Sequence, residues 1–227
     1  MRTLLVLLCL LSSFMLRAQN AGQDVLLNKS FNMRTGQGYI RQVERYYFGP
    51  RFEAAELFRK NDHRKGINQL NYNKFPRAPF YAEGVFKMSE EKKQQARDLF
   101  RPLLDSVLAR AAKSENRHAE ILLYGYTDET PIDWEGSSYR DVCAAMKRES
   151  LSETEYRNAI SYLRAADLAS VIRGLIEEQP EAMKAFRRCL LDVYIEGRGM
   201  EFPDPTRQYD DEDDKRKIVK VFWMLRP

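Results

Sequence analysis

The sequence predicts an α/β fold, a two-layer sandwich in which helices pack on one mixed β-sheet. Two long segments, 89–111 and 152–176, carry apolar residues at the spacing of amphipathic helices. Short apolar runs that are typical of buried strands lie at 121–124, 190–195 and 218–223. Strands that alternate with helices in this way favour a sheet covered by those helices.

The first elements of this fold are predicted from about Glu83 onward. Gly84–Met88 is predicted to be a short strand, and Ser89 can cap the helix that follows it. Pro102 lies inside this helix and is expected to kink or split it. The predicted order is strand, helix, strand, helix, strand, strand, with one additional helix inserted after the second strand.

Two local signals mark the helices that follow the second strand. Ser138 and Asp141 have the loose spacing of a helix start, and the short inserted helix is predicted to run through Lys147. Ser152 and Glu155 form a capping-box pattern that opens the second long helix. Because a helix as short as the inserted one is marginal on its own, it is expected to pack on the domain.

Residues 1–18 have the pattern of a secretory signal peptide. Arg2 precedes an apolar run over 4–16, and the expected cleavage follows Ala18. The run is shorter than the roughly 20 apolar residues that span a bilayer. An uncleaved N-terminal anchor is the alternative. Cys9 lacks the preceding small residues of a lipoprotein signal, so no lipid anchor is predicted.

Residues 19–82 form an N-terminal extension that is rich in aromatic and basic side chains but weakly periodic. A short helix is plausible at Phe52–Lys60. The segment is too short for an eight-stranded outer-membrane barrel, whose strands need about 9–11 residues each. We expect it to pack on the main domain, which covers residues 83–227. A partly disordered linker is the competing interpretation, although so many aromatic residues argue against it.

The composition disfavours nucleic acid as a partner. The chain has 37 Lys+Arg against 33 Asp+Glu, and removal of Arg2 and Arg17 with the signal peptide leaves 35 against 33. So small an excess does not predict a concentrated basic face. After the signal peptide, the sequence has no segment apolar enough to be predicted to span a membrane. Cys143 and Cys189 are compatible either with a disulfide or with two buried thiols.

Three motifs in residues 83–227 resemble one known family. The stretch Ile121–Asp128 reads ILLYGYTD and ends in Gly-x-Thr-Asp, and Ile160–Ala165 reads ISYLRA. Glu196–Gly199 adds a Gly-Arg-Gly turn after the third predicted strand. In this order, and on these elements, the motifs are similar to those of OmpA-like peptidoglycan-binding domains. The resemblance implies an OmpA-like sandwich of mixed sheet and helices.

The resemblance also implies a ligand site made by Asp128 and Arg164, whose side chains are expected to lie on the surface and to face one shared, solvent-reachable cleft. In the family, the matching acid and arginine hold the diaminopimelate residue of the peptidoglycan stem peptide. The chemistry is suitable, because that ligand presents an ammonium and a carboxylate at one end. A guanidinium can bind the carboxylate bidentately, which an ammonium cannot. The simpler alternative is that Asp128 caps a turn and Arg164 lies solvated on a helix face.

The sequence departs from the family pattern at three places. Asp128 and Arg164 are separated by 35 residues, more than is usual in the family, and the excess lies in an insertion at 133–151 that either gates or blocks the cleft. Arg157 stands where the family has an asparagine. The segment Asp214–Ile218 replaces the family motif before the last strand, so the register of that strand stays open.

Other chemistries have weaker support in the sequence. The acids Asp128, Glu129 and Asp133 could cooperate in sugar hydrolysis, but clustered acids in a turn are usually only solvated. The acidic run 210–214 lacks the glycine and the spacing of a calcium loop. Neither histidine has a metal-ligand partner at a suitable sequence spacing. No enzymatic activity, metal or cofactor is therefore predicted.

The expected function is non-covalent binding of peptidoglycan in the periplasm or at the outer membrane, which would anchor an envelope component to the wall. The alternative is an envelope interaction module that keeps the OmpA-like fold but has lost the ligand. In that alternative the inserted helix would serve a protein partner. In either case residues 20–80 are a candidate surface for an envelope protein partner.

Overall fold

A computed structural model describes residues 24–34, 40–50, 73–75, 79, 81–115, 117–178 and 189–226. The predicted signal peptide and the predicted helix at Phe52–Lys60 lie outside the described residues. The elements in chain order are strands β1 (Asp24–Arg34), β2 (Ile40–Pro50) and β3 (Asn73–Lys74), helix α1 (Glu90–Lys113), strand β4 (His118–Gly125), helices α2 (Ser137–Ala145) and α3 (Glu153–Glu177), strand β5 (Cys189–Gly197), a 3-10 turn (Asp214–Arg216) and strand β6 (Val219–Leu225).

The described strands form a six-stranded sheet in the order β1-β2-β5-β4-β6-β3. Strands β4 and β5 are parallel, and the other neighbours are antiparallel. Helices α1 and α3 cover one face of this sheet and form the main core with its strands. That core includes Phe100, Leu104, Ile121, Leu168, Ile172 and Val193. The predicted α/β architecture, with helices on a mixed sheet, is confirmed.

The helix starts agree with their capping residues. Ser89 accepts a hydrogen bond from the amide of Lys92 at 3.3 Å at the start of α1. Ser152 and Glu155 make both hydrogen bonds of the capping box at the start of α3. Pro102 does not split α1, which continues unbroken to Lys113. Helix α2 starts one residue before the predicted position and ends at Ala145 rather than Lys147.

The predicted strand at Gly84–Met88 is wrong, because side chains rather than a neighbouring strand satisfy its backbone. Gly84 has a positive φ of 61°, which breaks an extended strand. The carbonyl of Val85 accepts from Arg164, and the amide of Met88 donates to Asp167 at 2.8 Å. The sheet edge beside β6 is formed instead by β3, where Asn73 lies opposite Trp223.

The N-terminal extension contributes strands to the sheet. Strand β2 pairs with β5 over eight positions, from Arg41 opposite Glu196 to Phe48 opposite Cys189. Strand β1 pairs with β2 over its whole length. The described part of the extension therefore continues the sheet of residues 83–227 rather than forming a linker. Cys143 and Cys189 are buried thiols that do not form a disulfide with each other. None of the described helices is both long and apolar enough to span a membrane.

Candidate ligand-binding site beyond strands β4 and β5

The candidate site lies where two parallel strands end together. Gly125, the last residue of β4, is in register with Gly197, the last residue of β5. The loop 126–130 that carries Asp128 leaves from the first strand, and the long loop 198–217 leaves from the second. The two loops bond to each other, since the amide of Thr127 donates to the carbonyl of Gly199 at 2.9 Å.

Helix α3 crosses the two strand ends so closely that only glycine fits there. A Cβ atom on Gly125 would lie 1.9 Å from the carbonyl oxygen of Ser161, and one on Gly197 would lie 2.6 Å from the carbonyl oxygen of Asn158. The Ser161 hydroxyl accepts a hydrogen bond from the amide of Gly199 at 2.9 Å. The glycines and the serine of the three motifs thus have a packing role that brings α3 against both loops.

Arg164 is buried at the centre of this contact, with 1% of its surface exposed. Its Nε donates to the carbonyl of Val85 at 2.9 Å, its Nη1 to that of Tyr126 at 2.9 Å, and its Nη2 to that of Ala82 at 3.2 Å. Burial lowers the pKa of Arg164 to about 10, although the negative charge of Asp128 opposes that shift. The guanidinium is therefore charged at neutral pH and fastens segment 82–85 and the start of loop 126–130 to α3.

Asp128 is also buried, at 3% exposure, and has its own partners. Its carboxylate accepts a hydrogen bond from the Thr130 hydroxyl and lies 3.1 Å from the Nζ atom of Lys217. Burial alone would raise the pKa of the Asp128 carboxyl, but the hydrogen bonds from Thr130 and Lys217 outweigh it and lower that pKa. Asp128 is therefore an ionised carboxylate whose counter-charge comes from the same chain.

Two further arginines hold the loops, and the sequence analysis assigned no role to either of them. Arg157 donates from Nη1 to the carbonyl of Asp128 at 2.8 Å and from Nη2 to that of Thr130 at 3.1 Å. Arg216 is fully buried and donates to the carbonyl of Met200 and to the carboxylate of Glu129, at 2.8 and 2.9 Å. Both lie at positions where the sequence departs from the family pattern, and these departures were the signal by which their role could have been predicted.

The structure places both predicted site residues in this one region but not in an open cleft. Segment 82–85 covers Arg164, and the ammonium of Lys217 pairs with the carboxylate of Asp128. The solvent-reachable cleft that the resemblance implied is closed at both side chains in this structure. The alternative of a solvated Arg164 is wrong as well, because its helix face is buried.

The insertion at 133–151 forms a small core with the start of α3. Val142 and Cys143 of helix α2 pack with Phe86, Leu151, Tyr156, Ala159 and Ile160. The hydroxyl of Tyr139 both donates to the carbonyl of Leu151 and accepts from its amide, at 3.0 and 2.8 Å. A segment packed in this way supports segment 82–88 from outside, rather than lying over the site as a loose lid.

The acids considered for hydrolysis do not pair with one another. Glu129 bonds to Arg216, and Asp133 lies exposed and accepts from the amide of Glu135 at 3.3 Å. In the acidic run, Asp213 caps the 3-10 turn through the amide of Lys215 at 2.8 Å. These contacts are those of turn-stabilising acids and provide no acid and base pair facing a common space.

A second buried charged cluster lies on the sheet face opposite α1 and α3. His118, Glu120 and Asp192 offer ligand atoms that all lie within 4.8 Å of one another, which is close enough for a metal ion. However, Arg45 bonds to both carboxylate oxygens of Asp192 at 2.7 Å, and Arg226 bonds to Glu120 at 2.8 Å. Two guanidinium groups already balance the two carboxylates, so the cluster is an ion-pair network across the strands.

Comparison with known proteins leaves the family unassigned. No family model matches the chain, and no curated protein matches it. Among solved structures, the chain is similar to the periplasmic domain of MotB, with 11% sequence identity and a TM-score of 0.37. That alignment covers 95% of this chain and 84% of the other. A similarity this low does not define a family or a function.

Proposed function

We propose that this chain is an exported, non-enzymatic protein of a Gram-negative envelope that binds diaminopimelate-type peptidoglycan without covalent chemistry. One observation carries the proposal: the two motif residues come from different elements and meet at one end of the sheet. Arg164 donates to the carbonyl of Tyr126, two residues before Asp128. This is the juxtaposition that the OmpA-like resemblance requires. Export rests on the signal-peptide pattern of residues 1–18.

Binding of a ligand at this site requires that Asp128 and Arg164 exchange their present partners within the chain for groups of the ligand. A ligand ammonium would pair with Asp128 once Lys217 has left it. A ligand carboxylate would bond to Arg164 only after a carbonyl of segment 82–85 has given up its hydrogen bond. A ligand carboxylate would offer the Arg164 guanidinium an ionised acceptor in place of a neutral carbonyl, which favours the exchange there, whereas at Asp128 one ammonium replaces another.

A second candidate function follows from the closed state itself. Both site side chains are buried and fully engaged with partners of the same chain. An OmpA-like module that keeps these contacts permanently would hold its fold for an envelope protein partner and would not bind the wall. Among the described strands, β1 lies at one edge of the sheet, and edge strands offer backbone groups to partners.

Co-sedimentation with purified diaminopimelate-type sacculi separates the two candidates. The first predicts that the chain sediments with sacculi and that Asp128→Asn loses at least about tenfold in affinity, since one charge-assisted contact is worth roughly 1.5–3 kcal/mol. Asp133→Asn is the matched control, because this acid is exposed and lies outside loop 126–130, at the start of the insertion, so the substitution should leave binding unchanged. Absence of sedimentation by the folded wild-type chain would leave the second candidate.

A further inference from the structure

Lys217 bridges a buried acid and a surface acid. Its ammonium lies 3.1 Å from the carboxylate of Asp128 and 2.7 Å from that of Asp214. The Asp128 side chain is 4% exposed, whereas the Asp214 side chain is 88% exposed. The surface acid lies three residues before the lysine and can therefore hold its ammonium without the buried one. Lys217 thus contacts both acids at once and links the buried carboxylate to one that solvent reaches.

The buried acid needs a cation of limited size. Besides Lys217, the partners of the Asp128 carboxylate are the hydroxyls of Thr130 and Thr127, which supply hydrogen bonds but no charge. An ionised carboxylate in a nearly dry site is strongly destabilising without a counter-charge. The group that meets this need is the primary ammonium of the lysine, with three N–H donors at the end of an alkyl chain.

The backbone near Lys217 can stay in place while its side chain moves. The neighbouring Arg216 is fully buried and anchors the turn to Met200 and Glu129. Ile218 is held in place as well, because its carbonyl accepts a hydrogen bond from the amide of Tyr126 at 2.9 Å. Only the rotatable lysine stem has to change between the two acids.

We propose that Lys217 fills the cation position beside Asp128 from within the chain, and that a ligand with a primary alkylammonium group takes this position when Lys217 turns to Asp214. The chain thereby holds its own site closed until such a ligand competes for Asp128. The identity of that ligand as peptidoglycan rests on the proposed function. The ammonium position itself does not depend on it.

Chemical rescue of Lys217→Ala tests the ammonium position. The variant leaves the Asp128 carboxylate without its cation and opens the path to solvent, so its melting temperature should fall. Methylammonium should then raise the melting temperature by about 2–4 °C over tetramethylammonium at the same concentration, which is a shift that thermal unfolding of a chain of this size resolves. The wild-type chain should show no difference between the two cations.

The double variant Lys217→Ala with Asp128→Asn is the matched control, because it removes the charge that attracts the cation. A rescue that persists in this control, or an equal response of Lys217→Ala to both cations, would overturn the proposal. If Lys217→Ala does not fold without an added cation, its refolding yield in methylammonium against tetramethylammonium decides the question in the same way.

Sacculus co-sedimentation of the same proteins tests the ligand separately. If Lys217 competes with the wall, Lys217→Ala should bind diaminopimelate-type sacculi about tenfold more tightly than wild type, and the double variant should lose this gain. Selective rescue by methylammonium together with no sacculus binding by either protein would support the ammonium position and overturn peptidoglycan as its ligand. Sacculus binding without selective rescue would overturn the role of Lys217 and leave the proposed function standing.

Discussion

Arginines at two places around this sheet bond to different kinds of acceptor. Beyond the ends of β4 and β5, Arg164 donates to three backbone carbonyls and has no carboxylate as a direct partner. On the face opposite the long helices, Arg45 bonds bidentately to Asp192, and Arg226 bonds to Glu120. The first arrangement fixes the path of loops, and the second ties neighbouring strands together.

The difference has an energetic consequence. Carbonyl acceptors cannot be removed by mutation, so the loss of Arg164 leaves buried polar groups without a donor. A carboxylate partner can be replaced together with its arginine, and such paired replacements by apolar residues are often neutral. Substitution of the arginine alone should therefore destabilise the fold at either place. Replacement of the arginine together with its acceptor can restore stability only at the second place, where the acceptor is a carboxylate.

The largest expected effect is that of Arg164→Leu. It removes a buried charge but strands the carbonyls of Ala82, Val85 and Tyr126, and each stranded buried group costs roughly 1–3 kcal/mol. We expect a loss of about 4 kcal/mol or more in the free energy of unfolding, measured by chemical denaturation. Arg164→Lys should recover only part of it, because an ammonium cannot match the fork of the guanidinium.

This expectation changes how loss of binding in an Arg164 variant must be interpreted. On the sequence-based view that both site residues lie on the surface, Arg164→Ala would test the ligand contact alone. In the buried setting it tests the fold first. A variant that retained wild-type stability would show that the three carbonyl bonds contribute little.

The next effect separates the two places directly. Arg45→Met should cost about 3–5 kcal/mol, because it leaves Asp192 buried without its main counter-charge. Adding Asp192→Leu should restore a substantial part of that loss, which a double-mutant cycle measures as a coupling energy. His118 also bonds to Asp192, at 3.1 Å, so recovery should be incomplete. Strict additivity would contradict the pairwise interpretation of this network.

The strands and caps that were predicted correctly carry their own local signals. Strand β4 is buried along its whole length, and its continuous apolar run 121–124 shows that in the sequence. The capping box at Ser152 is equally local. Strand β2 was missed because charged and apolar side chains mix on both of its faces, as in Arg41 beside Val43. Its two arginines, Arg41 and Arg45, pair with carboxylates on β5 that lie about 150 residues away in sequence.

The location of the candidate site could be predicted from the sequence, but the burial and the partners of its side chains could not. The motifs identified the loop of Asp128 and the helix of Arg164, and the structure brings both to one end of the sheet. Nothing local shows that α3 is buried nearly all round, or that Lys217 returns from the other end of the chain to Asp128. The prediction assumed that charged side chains are exposed. This assumption fails where backbone carbonyls, or partners distant in sequence, satisfy the hydrogen bonds of a charged side chain.

The smallest expected effect concerns the pH dependence that Asp128 contributes. Its pKa is lowered in the folded chain, because hydrogen bonds from Thr130 and Lys217 outweigh burial. A carboxyl whose pKa is lower in the folded than in the unfolded state stabilises the fold above its unfolded pKa of about 3.9, and this contribution is lost as pH falls through the folded pKa. At neutral pH, Asp128→Asn should therefore cost about 1.5 kcal/mol of unfolding free energy. The difference in unfolding free energy from wild type should shrink as the pH falls below about 4.

Denaturation curves of both proteins between neutral pH and pH 3 measure this difference, with Asp133→Asn as the exposed control that should follow wild type throughout. A difference that stayed constant with pH would mean that packing, and not the charge of Asp128, accounts for the loss.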